Sequence, residues 1–243
     1  YCINFFSEQS EINPEVKFLE LNQISKSPFA CYYKLNDKYL LCSSPERFLQ
    51  KKNNKIISQP IKGTRKRGQN NEEDEQIINE LKSNKKEQNE NVMIVDLVRN
   101  DLSRIASKGS VKVDELFGIY SFEQVHQMIS TVSCELKENL SFYDIIKNTF
   151  PMGSMTGAPK IRAMELIEKQ EAFKRGIYSG SVGYISPDGD FDFNVVIRSI
   201  LYNSSTKNIS INVGSAITDK AIAEEEYEEC MLKAKAMFDV LNK

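Results

Sequence analysis

Alternation of apolar and polar positions predicts β-strands in several stretches of the chain. Residues Phe29–Leu41 alternate on either side of an Asn-Asp pair that is typical of a hairpin turn, and Lys55–Ile61 follows after a Lys-Asn-Asn-Lys turn. Further strand runs cover Ile177–Ile185, Phe191–Tyr202 and Ile209–Val213, with Pro-Asp-Gly and Asn-Ser-Ser-Thr turns between them. These runs predict sheets that are largely antiparallel.

Helical spacing of apolar residues alternates with these strands. The stretch from Glu72 to Ala106 is predicted as one helix or two, and its acidic first turn suits the positive end of a helix dipole. Shorter helices are predicted over Ser141–Asn148 and Pro159–Glu171, and a last one over Glu224–Leu241. With no repeat and no linker, the pattern predicts an α+β fold in a single domain over residues 1–243.

The last predicted helix has two stripes of different character. We expect the apolar stripe to be buried, and it consists of Tyr227, Met231, Ala234, Phe238 and Leu241. At about 100° per residue, a second stripe falls roughly a third of a turn away, and it contains Glu226, Glu229 and Lys233. The acidic run is either a solvated face or the border of a cleft.

Composition narrows the chemistry that the chain can perform. With one histidine in 243 residues, a His-rich zinc site is excluded and a His-based relay would need His126 alone. The net charge of −2 gives no general attraction to nucleic acid or anionic membrane, and no apolar run is long enough to span a bilayer. Five cysteines without a C-x-x-C pair indicate reduced thiols in a cytoplasmic protein. Carboxylates, lysines or a hard metal ion must therefore carry any chemistry.

Two glutamate pairs have the spacing of a divalent-metal site. Glu87 and Glu90 stand three residues apart before the apolar run Val92–Val98, as Glu226 and Glu229 do in the last helix. Carboxylate pairs on two helices can hold Mg²⁺, which prefers hard oxygen ligands and keeps several of its waters.

Two further segments contain candidate catalytic groups. In QPIKGTRKRG, Lys62 stands at a strand end beside three more cations, which could lower its pKa and make it a nucleophile or base. The alternative is a basic surface turn. In SSPERF, Glu46 follows a Pro turn as a possible buried acid beside Arg47.

Glycine-rich turns and a strand arginine predict a binding site for a small polyanion. The segment FPMGSMTGAPKIRAME resembles a loop entering a helix, although its spacing is not that of a P-loop, and a purely structural loop is the alternative. Arg198 within FNVVIRSI needs a partner if it is buried, and VGSAIT is another small-residue turn. Mg²⁺ could bind one carboxylate of such a ligand, and Arg198 and Lys233 another.

Taken together, these segments resemble the chorismate-utilising enzymes. The resemblance rests on SPERF, PIKGT, ENVMIVDLVRNDLSRI, GSMTGAPKIRAMELIE, GIYSGSVGY, the Arg198 strand and EEEYEE followed by Lys233, in the family's order from Tyr1 to Lys243. The family includes anthranilate synthase component I, aminodeoxychorismate synthase component I, and the isochorismate and salicylate synthases. It implies two large antiparallel sheets packed as a sandwich, with helices outside and the site between the sheets. Because the chain begins at Tyr1, we expect the N-terminal part of longer members to be missing.

The resemblance also implies a reaction. Members that aminate chorismate at C4 read PIKGT, whereas anthranilate synthases read PIAGT, so Lys62 is implied as the nucleophile at C2 and Glu46 as the acid/base at the departing C4 hydroxyl. Ammonia would then add at C4 to give 4-amino-4-deoxychorismate, a precursor of p-aminobenzoate and folate. A glutamine amidotransferase subunit is implied as the ammonia source. Asn91, where anthranilate synthases have His, favours the same branch.

The remaining roles follow from the same motifs. Direct Mg²⁺ ligands are implied at Glu90 and Glu229, with Glu87 and Glu226 acting through water. The implied substrate contacts are Thr156, Tyr178, Arg198, Gly214, the Ser215 amide and Lys233.

Some positions depart from the family pattern. Gln127 stands where the family often has His, so His126 is predicted to be structural, and Ala216 replaces the second glycine of a Gly-x-Gly turn. The start YCINFF has no lysine, which argues against water as the nucleophile. Anthranilate synthase component I remains the alternative within the family, and a silent scaffold that keeps the fold is the alternative outside enzymes.

Overall fold

The computed structural model describes residues 1–219 and 221–242, which form twelve β-strands and six α-helices. The strands are β1 Cys2–Ser7, β2 Phe29–Leu35, β3 Lys38–Ser44, β4 Arg47–Lys52, β5 Lys55–Gln59, β6 Ile61–Lys66, β7 Lys112–Ser121, β8 Val125–Glu135, β9 Gly183–Ile185, β10 Phe191–Asn194, β11 Ser199–Asn203 and β12 Asn208–Gly214. The helices are α1 Pro14–Ser25, α2 Asn71–Ser83, α3 Lys85–Ile105, α4 Phe142–Thr149, α5 Lys160–Gln170 and α6 Ala223–Leu241.

The chain forms two compact units, each built on one antiparallel sheet. Unit 1 consists of Tyr1–Pro45, Ile167–Val182 and Val195–Lys243, and unit 2 consists of Glu46–Leu166 and Gly183–Asn194. Strands β1, β2, β3, β11 and β12 lie in unit 1, and the other seven lie in unit 2. The predicted α+β class with two antiparallel sheets is confirmed. The interpretation of residues 1–243 as one domain stays a prediction.

Unit 1 contains a five-stranded sheet in the order β1-β12-β11-β3-β2. Helices α1 and α6 contact each other and pack against this sheet. The apolar core includes Leu21 of α1, Leu41 and Ile200 of the sheet, and Met237 of α6, all almost fully buried. Burying each such side chain contributes roughly 1.5–3 kcal/mol. This core fixes the position of α6, which carries three of the predicted site residues.

The buried stripe of α6 differs from the one predicted. It consists of Glu226, Cys230, Ala234, Met237 and Val240. Of the predicted stripe only Ala234 is buried, and Tyr227 is 54% exposed. The helix turns its smaller side chains and one flexible methionine inward, because these pack closely on the sheet. Glu226 therefore lies at the end of the buried face.

Unit 2 contains a seven-stranded sheet organised around the long strand β8. The order runs β6-β8-β5-β4-β10-β9, and β7 pairs with β8 along its length. Helix α3 packs on β8 and contacts α4, and its apolar face includes Ile94, Val98 and Leu102. The sheet and α3 together position the predicted lysine and one glutamate pair.

The predicted strand Lys55–Ile61 is present as two strands that share one register along β8. Lys55 of β5 pairs with Glu135 of β8, and Ile61 of β6 pairs with Ile129 of β8. Pro60 separates the strands because it has no N–H to donate to a ladder. Its carbonyl still accepts a hydrogen bond from Ser130 N at 3.2 Å, so the path along β8 continues.

The predicted helix from Glu72 to Ala106 is two helices, and Asn84 is the reason. Its side chain accepts a hydrogen bond from Glu87 N at 3.1 Å, as an N-cap does. Its own N–H donates to Leu81 O and ends α2. The cap places Glu87 in the first turn of α3 and Glu90 about one turn later.

Two predicted strands are wrong in part. Within Ile177–Ile185 only Gly183–Ile185 is a strand, because Gly180 N donates to Ile177 O and closes a turn. The predicted run Phe191–Tyr202 is split into β10 and β11, which belong to different sheets. Arg198 lies between them with a φ of 53°, so its predicted position within a strand is wrong.

The other predicted elements agree with the structure. The hairpin around Asn36 is β2 and β3, and the short helices are α4 and α5. The pattern did not predict β1, α1, β4, β7 or β8. Among the described residues, the structure contains no helix both long and apolar enough for a membrane span. The cytoplasmic location stays a prediction.

Candidate active site

Lys62 and two glutamates form a paired arrangement in unit 2. Lys62 Nζ lies 2.7 Å from Glu90 Oε2, and Arg65 Nη1 lies 3.3 Å from Glu87 Oε1. Two cations of β6 thus face two carboxylates on the first turns of α3. We call Lys62, Gly63, Arg65, Glu87 and Glu90 the lysine cluster.

The arginines that the sequence predicts beside Lys62 have carboxylate partners of their own. Arg65 pairs with Glu87, and the Arg67 guanidinium donates two hydrogen bonds to Asp74 Oδ2. Each arginine thus has its own carboxylate, and Lys62 has Glu90. Hydrogen bonds from Arg67, His126 and Gly68 N hold the pKa of Asp74 well below its usual range. The chain surrounds the lysine with anions as well as cations.

Glu46 is buried at the point where β4 begins. Its exposed fraction is 6%. The neighbouring Arg47 pairs across the sheet with Gln59, so the register brings Glu46 to the strand end that leads through Pro60 to Lys62. Arg47 donates from Nε and Nη2 to the two oxygens of Asp192, both at 2.9 Å. This bidentate contact holds the start of β4.

A buried polar network lies behind Glu90. Ser130 Oγ donates to Asn91 Oδ1 at 2.6 Å and accepts from Phe117 N at 3.1 Å. Among the described residues, Asn91 Nδ2 and Gln127 Oε1 are buried without a hydrogen-bond partner. The network ties α3 to β8 at the residue next to Glu90.

His126 is fully buried and joins α2 to the sheet. Its Nε2 lies 3.0 Å from Asp74 Oδ1, and its Nδ1 lies 2.8 Å from Ser121 Oγ. Both ring nitrogens therefore have partners within the fold. This placement agrees with the prediction that His126 is structural.

Thr156 ends the 3₁₀ turn Gly153–Met155 in unit 2. Its Oγ1 donates to Met152 O at 3.1 Å and comes within 3.4 Å of Gly153 O. The hydroxyl proton thus serves the loop, and the oxygen lone pairs remain available to accept. Its predicted role as a substrate contact stays a prediction.

In unit 1 a second set of predicted residues is connected by direct contacts. Lys233 Nζ donates to Gly214 O at 2.9 Å and lies 2.5 Å from Glu229 Oε1. Ser215 Oγ hydrogen-bonds to the carboxylate of Glu226. The arginine cluster is the name used here for Tyr178, Arg198, Gly214, Ser215, Glu226, Glu229 and Lys233.

Arg198 and Tyr178 are the desolvated members of the arginine cluster. Arg198 Nη1 donates to Lys233 O at 3.3 Å, and burial lowers the pKa of its guanidinium. Burial likewise raises the pKa of the Tyr178 hydroxyl, which is therefore a neutral donor. A Cβ on Gly214 would stand 2.8 Å from Tyr1 O and 3.2 Å from the Tyr178 hydroxyl, so both groups pack closely on this glycine. A desolvated cation beside a neutral donor suits a carboxylate.

The two glutamate pairs fit Mg²⁺ by the chemistry of their donors. All four side chains offer hard carboxylate oxygens. Glu87 and Glu90 lie on unit 2, whereas Glu226 and Glu229 lie on unit 1. Within residues 1–219 and 221–242, no three His, Cys, Asp or Glu side chains are grouped closely enough to hold a metal ion. The metal set stays a prediction.

Several partners of the site residues have no local sequence signal. Asp192 is 145 residues from Arg47, and Ser130 is 39 residues from Asn91. Sheet register alone brings these pairs together. The Asn84 cap, by contrast, has a signal, because Glu87 stands three residues after it, as in a capping box.

Comparison with protein families matches the family described as chorismate binding enzyme over residues 3–239. The aminodeoxychorismate synthase component 1 of Bacillus subtilis (strain 168) is 39% identical over 231 residues, which cover 95% of this chain and 49% of that protein. The anthranilate synthase component 1 of Aquifex aeolicus (strain VF5) is 39% identical over 236 residues, covering 97% of this chain and 47% of that protein. A probable chloroplastic aminodeoxychorismate synthase of Oryza sativa subsp. japonica is 45% identical over 222 residues, which cover 90% of this chain and 25% of that protein.

Solved structures give the same fold. Anthranilate synthase component I from Streptococcus pneumoniae TIGR4 superposes with a TM-score of 0.87 at 34% identity, covering 97% of this chain and 52% of that chain. MenF, the menaquinone-specific isochorismate synthase from Escherichia coli, superposes with a TM-score of 0.86 at 19% identity, covering 99% and 55%. The chain spans between a quarter and about half of the length of the curated relatives described above.

Proposed function

The chain belongs to the chorismate binding enzymes, and we propose that it aminates chorismate at C4 with ammonia to give 4-amino-4-deoxychorismate. The product would serve p-aminobenzoate and folate biosynthesis. The observation that carries the proposal is the position of Lys62. Its Nζ lies 2.7 Å from Glu90 Oε2, beside the bulge of β6. Relatives named aminodeoxychorismate synthase are 38–45% identical to the chain.

The reaction balances as two displacements. In the first, the deprotonated amine of Lys62 forms a bond to C2, both double bonds of the ring shift, and the C4–O bond breaks. Glu46 gives a proton to the leaving hydroxyl, which departs as water. In the second, ammonia forms a bond to C4, both double bonds shift back, and the C2–N bond breaks to release the neutral amine of Lys62. The Glu46 carboxylate regains its proton from the new ammonium at C4. The net change is replacement of hydroxyl by amine, with no oxidant or reductant.

Glu46 suits the acid role because of its burial. With 6% of its surface exposed, the residue is shielded from water. The neighbouring Arg47 forms a bidentate contact with Asp192. This contact holds the strand end at which Glu46 lies.

The arginine cluster would bind a carboxylate of the substrate. Arg198, Lys233 and the Tyr178 hydroxyl supply two cations and one neutral donor. Charge-assisted hydrogen bonds of this kind contribute about 1.5–3 kcal/mol each. They would hold chorismate without taking part in bond breaking. The Ser215 amide, which the motifs imply as a further contact, donates to Tyr1 O at 3.1 Å.

Mg²⁺ would be held by Glu90 and Glu229, with Glu87 and Glu226 acting through water. When bound, the ion would neutralise the ring carboxylate of chorismate as a Lewis acid. Each of these carboxylates also has a partner in its own unit, such as Lys62 for Glu90 and Lys233 for Glu229.

Ammonia would come from a glutamine amidotransferase partner, because the cysteines of this chain are poor nucleophiles. Cys2, Cys42, Cys134 and Cys230 are buried. Burial raises the pKa of Cys2 and Cys134 to about 12, and a thiol must ionise to attack glutamine.

A product assay tests the proposal. The chain is incubated with chorismate, Mg²⁺ and ammonium, and the products are separated and identified by mass spectrometry. We expect an amine that keeps the enolpyruvyl group, with no pyruvate released. Anthranilate and an equal amount of pyruvate would instead assign the chain to anthranilate synthesis, which the 39% identical Aquifex relative keeps as the second candidate.

Replacing the nucleophile tests the mechanism. Lys62→Ala should abolish amination because no amine remains to form the bond to C2. Lys66→Ala is the matched control, since Lys66 lies on the same strand and is exposed. Equal turnover of Lys62→Ala and Lys66→Ala would refute the covalent step.

A further inference from the structure

The lysine cluster depends on a bulge in β6. Ile61 pairs with Ile129, and Thr64 pairs with Gln127. Two residues of β6, Lys62 and Gly63, therefore lie opposite the single residue Met128. A bulge of this kind changes the direction of a side chain relative to the regular pleat, and bulges are common beside active sites.

Gly63 has a backbone conformation that other residues cannot adopt without strain. Its φ is +94°, in the region that favours glycine. A Cβ on Gly63 would stand 3.0 Å from Leu81 Cδ1 and 3.3 Å from both Cδ and Oε2 of Glu87. Both neighbours therefore pack directly on the bulge.

Only one of these neighbours is free to move. Leu81 is fully buried at the end of α2, so its side chain has no room to shift. The Glu87 carboxylate is partly exposed and paired with Arg65. A side chain at position 63 would therefore displace either Glu87 or the bulge itself, and both displacements change the direction of Lys62 relative to Glu90.

We propose that Gly63 is a positioning residue for the reaction: the absence of its side chain lets Glu87 pack on the bulge and sets the direction of Lys62. The inference rests on the proposed function, in which Lys62 forms the bond to C2. A nucleophile displaced by about 1 Å can lose roughly 100-fold in rate.

Gly63→Ala tests the proposal, with Gly189→Ala as the matched control. Gly189 has a φ of +80°, and a Cβ added there would meet no atom within 4 Å, so it has the backbone strain without the contact. We expect Gly63→Ala to lower kcat by roughly 100-fold, whereas Gly189→Ala should keep the kcat of the wild type. Equal kcat in the two variants would overturn the inference.

A second readout does not depend on turnover. Lysines are labelled competitively with acetic anhydride and quantified by mass spectrometry, with the exposed Lys235 as internal reference. The rate for Lys62 should change severalfold in Gly63→Ala and stay constant in Gly189→Ala. An unchanged rate overturns the positioning role, even if the wild-type chain shows no amination and the proposed function fails.

A fold defect is distinguished by a third variant. If Gly63→Ala does not fold, Gly63→Ala/Leu81→Val shortens the buried side chain that the new Cβ meets. A folded double variant with the altered Lys62 labelling supports the inference. If neither variant folds while Gly189→Ala does, Gly63 is purely structural and the inference is wrong.

Discussion

Arg198 carries both a desolvated charge and a left-handed backbone. Its φ is 53°, and burial lowers the pKa of its guanidinium. Its hydrogen bond to Lys233 O leaves further N–H groups of the planar fork for a ligand. Strained residues of this kind are found at functional sites because the surrounding fold holds them there.

Arg198→Gln should raise KM for chorismate about 10- to 100-fold, since a charged hydrogen bond contributes about 1.5–3 kcal/mol. The melting temperature should change little, because losing the hydrogen bond to Lys233 O is offset by no longer burying a cation. Steady-state kinetics and thermal unfolding measure both. Arg162→Gln is the control, as Arg162 pairs with Glu165 on the exposed face of α5. An unchanged KM would remove Arg198 from substrate binding.

Asp74 makes the stability of the folded chain depend on pH in the acid range. Its pKa is lower in the folded chain than the ordinary value of 3.8, first because Arg67 donates to it. A depressed folded pKa adds stability that is present above the unfolded pKa and is lost as pH falls through the folded one. The melting temperature should therefore fall below about pH 4.

Asp74→Asn removes this dependence. The variant should be less stable than the wild type at neutral pH and lose less stability between neutral pH and acid. Asp96→Asn, at an exposed ion pair with Arg99, is the comparison. If Asp74→Asn and the wild type lose stability equally in acid, the Arg67–Asp74 contact does not set the acid limit.

At the scale of elements, an arginine joins three strands of unit 2. Arg47 of β4 holds Asp192 of β10 and donates to Gln59 of β5. The register shifts next to Arg47 in both pairings. Gln50 also donates to Asp192 at 2.8 Å. The strand end that carries Glu46 is thus fixed by a polar network that covers the break in the ladder.

Arg47→Lys should lower the free energy of unfolding by about 1–3 kcal/mol, because lysine cannot form the two parallel hydrogen bonds. Side-chain exposures of 18% and 15% make this pair less screened than the Arg99–Asp96 pair, at 54% and 61%. Arg99→Lys should change stability by under about 0.5 kcal/mol. Denaturant unfolding compares them, and equal effects would contradict the argument.

At the scale of the whole molecule, the chain has no thiol suited to glutamine hydrolysis among residues 1–219 and 221–242. Four of its five cysteines are buried and the fifth, Cys31, is half-buried. The expected nitrogen donor is therefore ammonia itself. The family resemblance already implied a separate source of ammonia, and burial of the cysteines supplies the physical reason.

Ammonium should support amination by this chain, and glutamine alone should not. Adding a glutamine amidotransferase subunit should make glutamine a donor. Product formation with each donor, measured with and without the subunit, checks the expectation. Turnover with glutamine in the absence of the subunit would show that this chain releases ammonia itself.

Local sequence patterns were sufficient to predict those elements whose ends are set by residues near in sequence. The hairpin at Asn36 follows from turn chemistry, and the spacing of Glu87 and Glu90 follows from their place in one helix. The motifs around Lys62 and Glu46 were sufficient to identify the family. In each case residues near in sequence carry the information.

Only the tertiary structure decided which face of α6 is buried, where Phe191–Tyr202 changes sheet, and which group Lys62 meets. Each of these depends on packing and register between segments far apart in the chain. The expected cations around Lys62 have carboxylate partners because α2 and α3 fold over β6. The sequence alone determined which chemical groups the protein has, because that is a matter of composition and local spacing. Their distances depended on the sheets, because pairing between remote strands sets them.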